Sequence, residues 1–402
     1  MSSVVTADVP YGFDIQSPSF LADPYPFYAR LRAEAPVAFL NPRFMVSRYE
    51  DVASMLRDPR FGRAGFDAFM QQVFGPGPLF ESFRRSMLFL DPPDHTRLRG
   101  LATRAFTPRA VERLRITIQT LVDHLLDDLG ADGGGDLVSR FAYPLPMQVI
   151  CELLGVPPDD REEFRTWTDA IGRSLQFTTI TPEILADGNE AADRLTEYFR
   201  SLVAERRIQP RDDLLGGLIA AEDETGRLSE DELLATAILL FVAGHETTVN
   251  LIANGTLALL RHPDQWQLLR DDPSLARLAV EELLRYESPV QFVSRVAMTD
   301  AEVGGVLIPA GVVAAMITGS ANRDPDRFPD PDRLDIRRAD IQHLSFAAGP
   351  HYCLGAALAR VEGEIAFSAL VRRFPNLRLA TDTVTWRKNI VLRGVQSLPV
   401  IC

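Results

Sequence analysis

The stretch Phe346-Ala-Ala-Gly349-Pro-His351-Tyr-Cys353-Leu-Gly355 is the most informative part of this sequence. Its glycine and proline lead through one cysteine directly into a predicted helix over Leu354–Phe374. A cysteine near a helix N-terminus lies among free backbone N–H groups and the positive end of the helix dipole, which favour the thiolate form. Nearby glycines let further backbone N–H groups approach the sulfur. The stretch therefore predicts that Cys353 is a thiolate ligand.

Other roles for a cysteine fit this pattern less well. A small buried hydrophobe is the interpretation for Cys151, which lies in the apolar stretch MQVICELLGV at 147–156. A zinc site needs more sulfur or imidazole ligands at short spacing, and His351 alone is too few. A thiol hydrolase needs a recognisable His–Asp partner set, which does not accompany Cys353. A single thiolate suits haem iron instead.

The cysteine stretch resembles the haem-binding loop of the cytochromes P450. That loop runs Phe, Gly, any residue, Gly, any residue, His or Arg, any residue, Cys, any residue, Gly. This sequence has Ala347 where the family usually has glycine, and we expect a slight backbone adjustment with the site intact. The resemblance extends over nearly the whole chain from DPYPFYARLR at 23–32. It implies that Cys353 binds the iron of haem b, with the loop residues Phe346, Gly349 and Gly355 around the cofactor.

Glu282-Leu-Leu-Arg285 places an acid and a base on one face of a predicted helix over Leu275–Tyr286. Most such pairs are solvated surface ion pairs worth about 0–1 kcal/mol. In the P450 family, an E-x-x-R pair before the cysteine ties the core to the loop that leads to it. The resemblance therefore implies that Glu282 and Arg285 are structural, buried and paired.

A polar stretch, Gly244-His245-Glu246-Thr247, interrupts the longest apolar helix, predicted over Ser229–Leu260. An acid beside a hydroxyl is costly in an apolar helix unless it is hydrogen-bonded or used in chemistry. These residues could instead face a neighbouring surface. The resemblance implies the oxygen-activation stretch, in which Gly244 lets substrate or O2 approach while Thr247 and Glu246 relay protons. The H-E-x-x-H pattern of zinc proteases is incomplete, because residue 249 is valine.

The remaining site predictions follow from the same resemblance. His95 and Arg99 are four residues apart on one predicted helix, so they share a face. With Arg295 and His351 they are expected to bind the haem propionates, although each alone could be a solvated surface residue. The expected substrate pocket is largely apolar and includes Phe89, Phe177, Leu240, Ala243, Val290, Phe292, Val293 and Val391.

The pattern along the chain predicts a mainly α protein with a minor β region. β-like alternation occurs over Val37–Ser47 and Val290–Ala315, and the glycine- and phenylalanine-rich segment Phe61–Ser86 predicts a long mobile loop. No flexible linker divides the chain, so residues 1–402 are expected to form one domain with a helix-rich lobe and a small β-rich lobe. The resemblance implies the cytochrome P450 fold, with haem between a long central helix and the cysteine-loop helix.

Composition limits the location and the partners. The formal net charge of −13 disfavours binding to nucleic acid or anionic membranes. Three sparse cysteines argue for a reducing compartment rather than a disulfide framework. The first residues, MSSVVTADVPYGFDIQ, have neither a basic nor an apolar signal region. A cytoplasmic protein is expected, as a monomer.

The resemblance implies a haem-thiolate monooxygenase that inserts one oxygen atom from O2 into a hydrophobic or semi-polar small organic substrate, in secondary metabolism. Oxidation without hydroxylation (phenol coupling, desaturation or epoxidation) is the alternative, and a haem-based sensor without turnover is a second. No reductase sequence follows the haem portion, so a ferredoxin and a ferredoxin reductase are the expected electron donors. Arginines at 97, 104, 109, 360, 372 and 373 are candidates for their docking, with ordinary solvated arginines as the alternative. The substrate is either free or bound to a carrier protein.

Overall fold

A computed structural model describes residues 14–174, 180–223 and 226–402 of the chain. It is 58% helical with a minor sheet region, which confirms the predicted fold class. The helices are α1 (Pro18–Ala22), α2 (Tyr25–Glu34), α3 (Tyr49–Met55), α4 (Phe66–Phe74), α5 (Pro78–Arg84), α6 (Asp94–Ala105), α7 (Pro108–Ala131), α8 (Pro144–Leu154), α9 (Arg161–Ser174), α10 (Pro182–Ile208), α11 (Leu214–Ala220), α12 (Glu230–Arg261), α13 (Pro263–Asp271), α14 (Ala276–Tyr286), α15 (Thr318–Ala321) and α16 (Ala356–Arg373). The strands are β1 (Val37–Leu40), β2 (Arg43–Val46), β3 (Phe61–Gly62), β4 (Gly134–Asp136), β5 (Glu222–Asp223), β6 (Gly226–Arg227), β7 (Val293–Ala297), β8 (Ala301–Val303), β9 (Val306–Ile308), β10 (Val313–Met316), β11 (Arg378–Leu379) and β12 (Pro399–Ile401).

The chain forms two compact units, each built from separated segments. The first unit contains Met1–Gly62, Val122–Tyr143 and Thr247–Cys402, and the second contains Arg63–Leu121 and Pro144–Glu246. The interpretation of residues 1–402 as one domain stays a prediction.

The first unit holds the larger sheet, in the order β1-β2-β10-β7-β3. β1 and β2 pair antiparallel with Val37 opposite Val46, and β10 runs parallel to β2 with Met316 opposite Val46. Apolar residues of these strands pack with α3 into one buried cluster that includes Val52 and Leu344. Because Leu344 lies two residues before the cysteine stretch, this cluster anchors the start of that stretch.

Helices of the first unit support the other side of the cysteine stretch. Glycines let α16 approach its neighbours closely: a Cβ built on Gly363 would lie 3.0 Å from Val280 of α14, and one built on Gly255 would lie 2.5 Å from Phe367. Larger side chains at these two glycines would separate the helices. The helix that follows the cysteine is therefore fixed against α14 and the C-terminal half of α12.

The second unit is almost entirely helical within the described residues. Its core is aromatic, with the Phe164 ring of α9 lying 4.9 Å from that of Phe241 and 5.9 Å from that of Phe199. α12 begins with a capping box, in which the Ser229 hydroxyl accepts from the Glu232 N–H and the Glu232 carboxylate accepts from the Ser229 N–H.

The prediction of a long loop over Phe61–Ser86 is wrong, because α4 and α5 lie within it. Phe66, Met70 and Phe74 follow one another at four-residue spacing and are buried along one face of α4. The glycines that suggested a loop instead bound the helices: Gly65 and Gly75 have φ of 84° and 68°, values that glycine adopts without strain.

α12 is long and apolar enough to cross a membrane by length and composition alone. Its most apolar 18-residue window is 72% buried inside the structure, as expected for a core helix. α12 corresponds to the long apolar helix predicted over Ser229–Leu260.

Candidate functional site

The cysteine segment, defined here as His343–Gly355, is held by its own backbone. The Cys353 N–H donates to the Phe346 carbonyl at 2.9 Å, which closes the segment into a loop, and Gly355 is the N-cap of α16. Cys353 is half-buried. A Cβ built on Gly355 would meet no heavy atom within 4 Å except the Cys353 sulfur, at 4.0 Å. The absent side chain at Gly355 therefore leaves the sulfur uncovered on this side.

Two positions of the cysteine segment have left-handed backbone. Gly349 has φ of 69°, and a Cβ there would lie 2.3 Å from the Leu56 carbonyl oxygen, so only glycine fits. Ala347 has φ of 56°, which costs an alanine about 1–2 kcal/mol. Ala347, the residue for which a slight backbone adjustment was expected, thus has a backbone conformation that favours glycine.

Glu282 and Arg285 lie together on α14, each fully buried. Arg285 Nε donates to one Glu282 carboxylate oxygen at 2.7 Å and Arg285 Nη2 to the other at 2.8 Å. Arg285 also donates to the carbonyls of Asn322 and Pro331, and Glu282 accepts from the Asp335 N–H. The pair therefore binds the irregular backbone that leads toward the cysteine segment.

Sequence reasoning missed a third member of this cluster. Arg338 lies 3.3 Å from the Glu282 carboxylate, and its Nη1 donates to the Pro329 carbonyl. Its position in an arginine-rich loop gave no periodic signal that could single it out. Two arginines thus share one buried carboxylate.

Glu281, next to that carboxylate, forms a separate cluster that sequence reasoning also missed. Arg360 of α16 donates twice to Glu281, at 2.6 and 3.0 Å, and His343 Nε2 lies 3.2 Å from it. Arg360 also donates to the Tyr352 hydroxyl at 3.1 Å and lies 4.6 Å from the Phe346 ring centroid. Successive residues of α14 therefore contact the cysteine segment and the loop before it.

The polar stretch of α12 has an accessible face. Ala243 is exposed and Leu240, Gly244, Glu246 and Thr247 are half-exposed, although Phe241 and Val249 on the same helix are buried. An exposed alanine and half-exposed leucine in the middle of an otherwise buried helix indicate a face open to a small molecule. Space for the Glu246 carboxylate comes from α9, because a Cβ on Gly172 would lie 3.0 Å from Glu246 Oε2.

The four expected propionate ligands have different settings. On α6, His95 is buried and Arg99 is half-buried one turn later. On β7, Arg295 is buried and its Nη1 donates to the Ser294 carbonyl at 2.9 Å. His351 is half-buried in the cysteine segment. The structure thus brings His95 and Arg99 together on one helix and leaves the joint role of the four residues a prediction.

The predicted pocket residues other than Leu240 and Ala243 of α12 have different settings. Phe89 belongs to an aromatic cluster with Phe66 and Phe83, at ring distances of 5.7 Å. Val290, Val293 and Val391 are half-buried, and Val290 pairs with Leu392 in an isolated β-bridge. Phe292 is buried against Tyr28, so its ring lies in the core. Phe177 lies outside the described residues.

The donor set fits a cofactor that takes one protein thiolate. Cys151 is fully buried, and burial raises the pKa of its thiol to about 12, which keeps it protonated in the core. In the part of the chain that the structure describes, no group of three His, Cys, Asp or Glu side chains could hold a metal ion. A lone accessible sulfur before a helix, with arginine and histidine for anionic groups, suits iron in a carboxylated macrocycle.

Comparisons with known proteins agree with this geometry. The family model described as Cytochrome P450 matches residues 42–390. Cytochrome P450 107B1 of Saccharopolyspora erythraea is 45% identical over 95% of this chain and 96% of its own length. 6-Deoxyerythronolide B hydroxylase of the same organism is 42% identical, over 96% of this chain and 98% of its own length. The crystal structure of P450BioI in complex with acyl carrier protein ligated to hexadec-9Z-enoic acid has a TM-score of 0.89 and 40% identity, over 96% of this chain and all of that one.

Proposed function

The chain belongs to the cytochrome P450 family and is a haem-dependent monooxygenase, and from this premise we propose that Cys353 is the thiolate ligand of its haem b iron. The observation that carries the proposal is the half-buried sulfur of Cys353 beside Gly355, at the start of α16. When bound, the haem supplies the activation of O2 and the transfer of one oxygen atom to substrate. The protein supplies the ligand, the proton path and the pocket.

The cysteine segment orients the sulfur. The hydrogen bond from the Cys353 N–H to the Phe346 carbonyl and the tight packing of Gly349 on Leu56 restrict the backbone that leads to the ligand. Glu282 and Arg285 act at one remove, because they bind the chain that precedes the segment. Gly355 leaves the sulfur accessible to the iron.

On α12, Glu246 and Thr247 hold and move protons. Glu246 and Thr247 are half-exposed neighbours on this helix, and the Glu246 carboxylate fits against Gly172. A positioned acid and hydroxyl contribute about 10²–10⁴-fold to reactions that need proton delivery. Gly244 keeps the same face open, and His95, Arg99, Arg295 and His351 bind the propionates.

The substrate is a hydrophobic or semi-polar small organic molecule of secondary metabolism. Similar proteins carry names that point to 6-deoxyerythronolide B and to hexadec-9Z-enoic acid on acyl carrier protein. Leu240 and Ala243 in the second unit, and Val290, Val293 and Val391 in the first, are accessible apolar residues that suit a substrate of that chemistry. Both a free and a carrier-tethered substrate are compatible with these residues.

Monooxygenases of this family receive electrons from redox partners, and we assign that role here to a ferredoxin and its reductase in the cytoplasm. The candidate arginines are unequal. Arg97 is bonded to Glu232, Arg360 to Glu281 and Arg373 to Asp127. Arg109 and Arg372 are exposed, and neither makes a salt bridge to another described residue, so they are the better candidates for partner contacts.

The carbon monoxide difference spectrum of the reduced protein tests the proposal. A strongly red-shifted Soret band is expected for the wild type and for Cys402→Ser, and its loss is expected for Cys353→His. Cys402 is a suitable control because it is also free and partly accessible. A histidine-like band in the wild type, or an unchanged band in Cys353→His, contradicts the ligand assignment. Substrate-dependent NADH consumption with a surrogate redox pair, coupled to a hydroxylated product, then distinguishes a monooxygenase from a sensor.

A further inference from the structure

Glu281 joins chain segments on both sides of the cysteine. His343 and Phe346 come before Cys353, Tyr352 is adjacent to it, and Arg360 follows on α16. Glu281 contacts His343 and Arg360 directly, while Arg360 lies over the Phe346 ring and donates to the Tyr352 hydroxyl. The cysteine loop is therefore closed twice, by the Cys353–Phe346 backbone bond and by a side-chain cluster around one carboxylate.

The cluster is ionic at neutral pH. Burial alone would raise the pKa of Glu281, but hydrogen bonds and charge from His343 and Arg360 outweigh it and lower the pKa to about 2. Burial alone would lower the pKa of Arg360, but Glu281 and Tyr352 raise it above its usual range. The Glu281 side chain is 20% exposed and that of Arg360 34%, so solvent screens the pair only in part.

We propose that Glu281 is a positioning residue for the thiolate. Glu281 neutralises Arg360 and fixes Phe346, and it thereby sets the reduction potential of the iron. This inference rests on the proposed role of Cys353. Partners around a ligand tune a metal through hydrogen bonds and local charge. Without the Glu281 charge, Arg360 presents an uncompensated positive charge beside the cysteine segment and favours the ferrous form, which carries one more electron.

The neighbouring Glu282 has a different task. Its carboxylate binds Arg285 on the same helix, and Arg338 and the Asp335 N–H on the loop that leads toward the segment. Glu281 reaches the segment itself and the helix after it. Loss of Glu282 is therefore expected to disrupt folding, whereas loss of the Glu281 charge changes the iron's potential in a protein that still folds.

Potentiometric titration of the haem-loaded protein tests the inference with Glu281→Gln, Glu281→Asp and Glu287→Gln. Glu287 is the matched control, because it is the C-cap residue of α14 and, like Glu281, bonds an arginine, here Arg393 at 2.6 Å. Glu281→Gln is expected to raise the ferrous-to-ferric ratio at fixed potential by roughly threefold, the size of a partly screened charge pair. For a one-electron couple this is about 28 mV toward positive potential, at 59 mV per tenfold. Glu281→Asp keeps the charge and is expected to shift less, and Glu287→Gln not at all.

The outcomes separate this inference from the proposed function. A wild type without the red-shifted carbon monoxide band overturns both. A normal wild-type band with an unchanged potential in Glu281→Gln overturns the role of Glu281 alone. If Glu281→Gln retains no haem, the double variant Glu281→Gln/Arg360→Gln removes both charges, and its potential is expected to return toward the wild-type value. If the reduction potential of the double variant differs from that of the wild type by as much as is expected for the loss of one charge, the inference is also overturned.

Discussion

The cysteine segment and the polar stretch of α12 are both central to the proposed chemistry, but they are built in opposite ways. The cysteine segment is irregular backbone restricted by contacts from elsewhere, such as the Leu56 carbonyl against Gly349. The stretch at 243–248 is regular helix, and its special feature is the space around it: Ala243 is exposed, and Gly172 makes room for Glu246. The cysteine segment depends on close contacts, whereas the stretch at 243–248 depends on small residues that leave space around the helix.

The largest expected effect comes from adding one carbon to the restricted region. In Gly349→Ala the new Cβ would lie 2.3 Å from the Leu56 carbonyl oxygen and 3.1 Å from the Arg57 Cα, in a left-handed conformation. We expect loss of the haem-loaded protein, measured by haem retention and the carbon monoxide spectrum. Gly311→Ala is the control, because Gly311 has φ of 80° with no atom within 4 Å of its Cβ and isolates the backbone strain of about 1–2 kcal/mol. Normal haem content in Gly349→Ala would contradict the collision.

Glu362 lies on α16, the helix that follows the cysteine segment, and replacing it sharpens the comparison. It is 2% exposed, no described group bonds its Oε2, and burial raises its pKa to about 8. In the unfolded chain the pKa of this carboxyl is 4.5. Between pH 4.5 and about pH 8 only the unfolded chain releases the proton, so rising pH favours unfolding. The unfolding temperature of the wild type is expected to fall more between pH 5 and pH 8 than that of Glu362→Gln. An equal fall in unfolding temperature for the two proteins between pH 5 and pH 8 would show that this carboxyl does not titrate as described.

A smaller effect is expected where the open region is filled. In Gly172→Ala the new methyl group would lie 3.0 Å from Glu246 Oε2, and the carboxylate must move by a few tenths of an ångström. We expect the ratio of product formed to NADH consumed to fall by roughly tenfold at most, with peroxide released instead. This is smaller than the rate contribution of about 10²–10⁴-fold that a positioned proton-transfer group makes. Gly100→Ala, a helical glycine with no atom within 4 Å of its Cβ, is expected to leave coupling unchanged. Equal coupling in Gly172→Ala and wild type would mean that the carboxylate position is unimportant.

The smallest effect is expected from relieving strain in the cysteine segment. Ala347→Gly removes a left-handed alanine, a gain of about 1–2 kcal/mol, while the more flexible unfolded chain offsets about 0.4–1 kcal/mol of it. The net free energy of unfolding should rise by about 0.5–1 kcal/mol, measured by denaturant unfolding. Ala348→Gly, at an extended φ of −153°, should instead lower it by about 0.5–1 kcal/mol. A stability loss in both variants would show that Ala347 is not strained.

The difference between the two regions also explains what the sequence could predict. The cysteine segment forms a contiguous motif of glycine, proline and cysteine, so its loop and the following helix were predictable from the residues alone. The predicted helices over Ser229–Leu260 and Leu275–Tyr286 match α12 and α14 to within one residue at each end. Arg338, Glu281 and Gly172 were not, because each acts through a residue distant in sequence. The helices at 66–84 were missed because glycines, here at the helix ends, are as frequent in this segment as in a loop.

The contact of Arg393 with residues far earlier in the chain has a consequence for biosynthesis. Arg393 donates to the carbonyls of Leu21 and Ala22, 372 and 371 residues earlier, and its guanidinium lies 6.0 Å from the ring centroid of Tyr25. The helices α1 and α2 are made before Arg393 and therefore lack this partner until Arg393 has left the ribosome. Until then the surface around Tyr25 is without this cover, and a chain that stops short of Arg393 never obtains it.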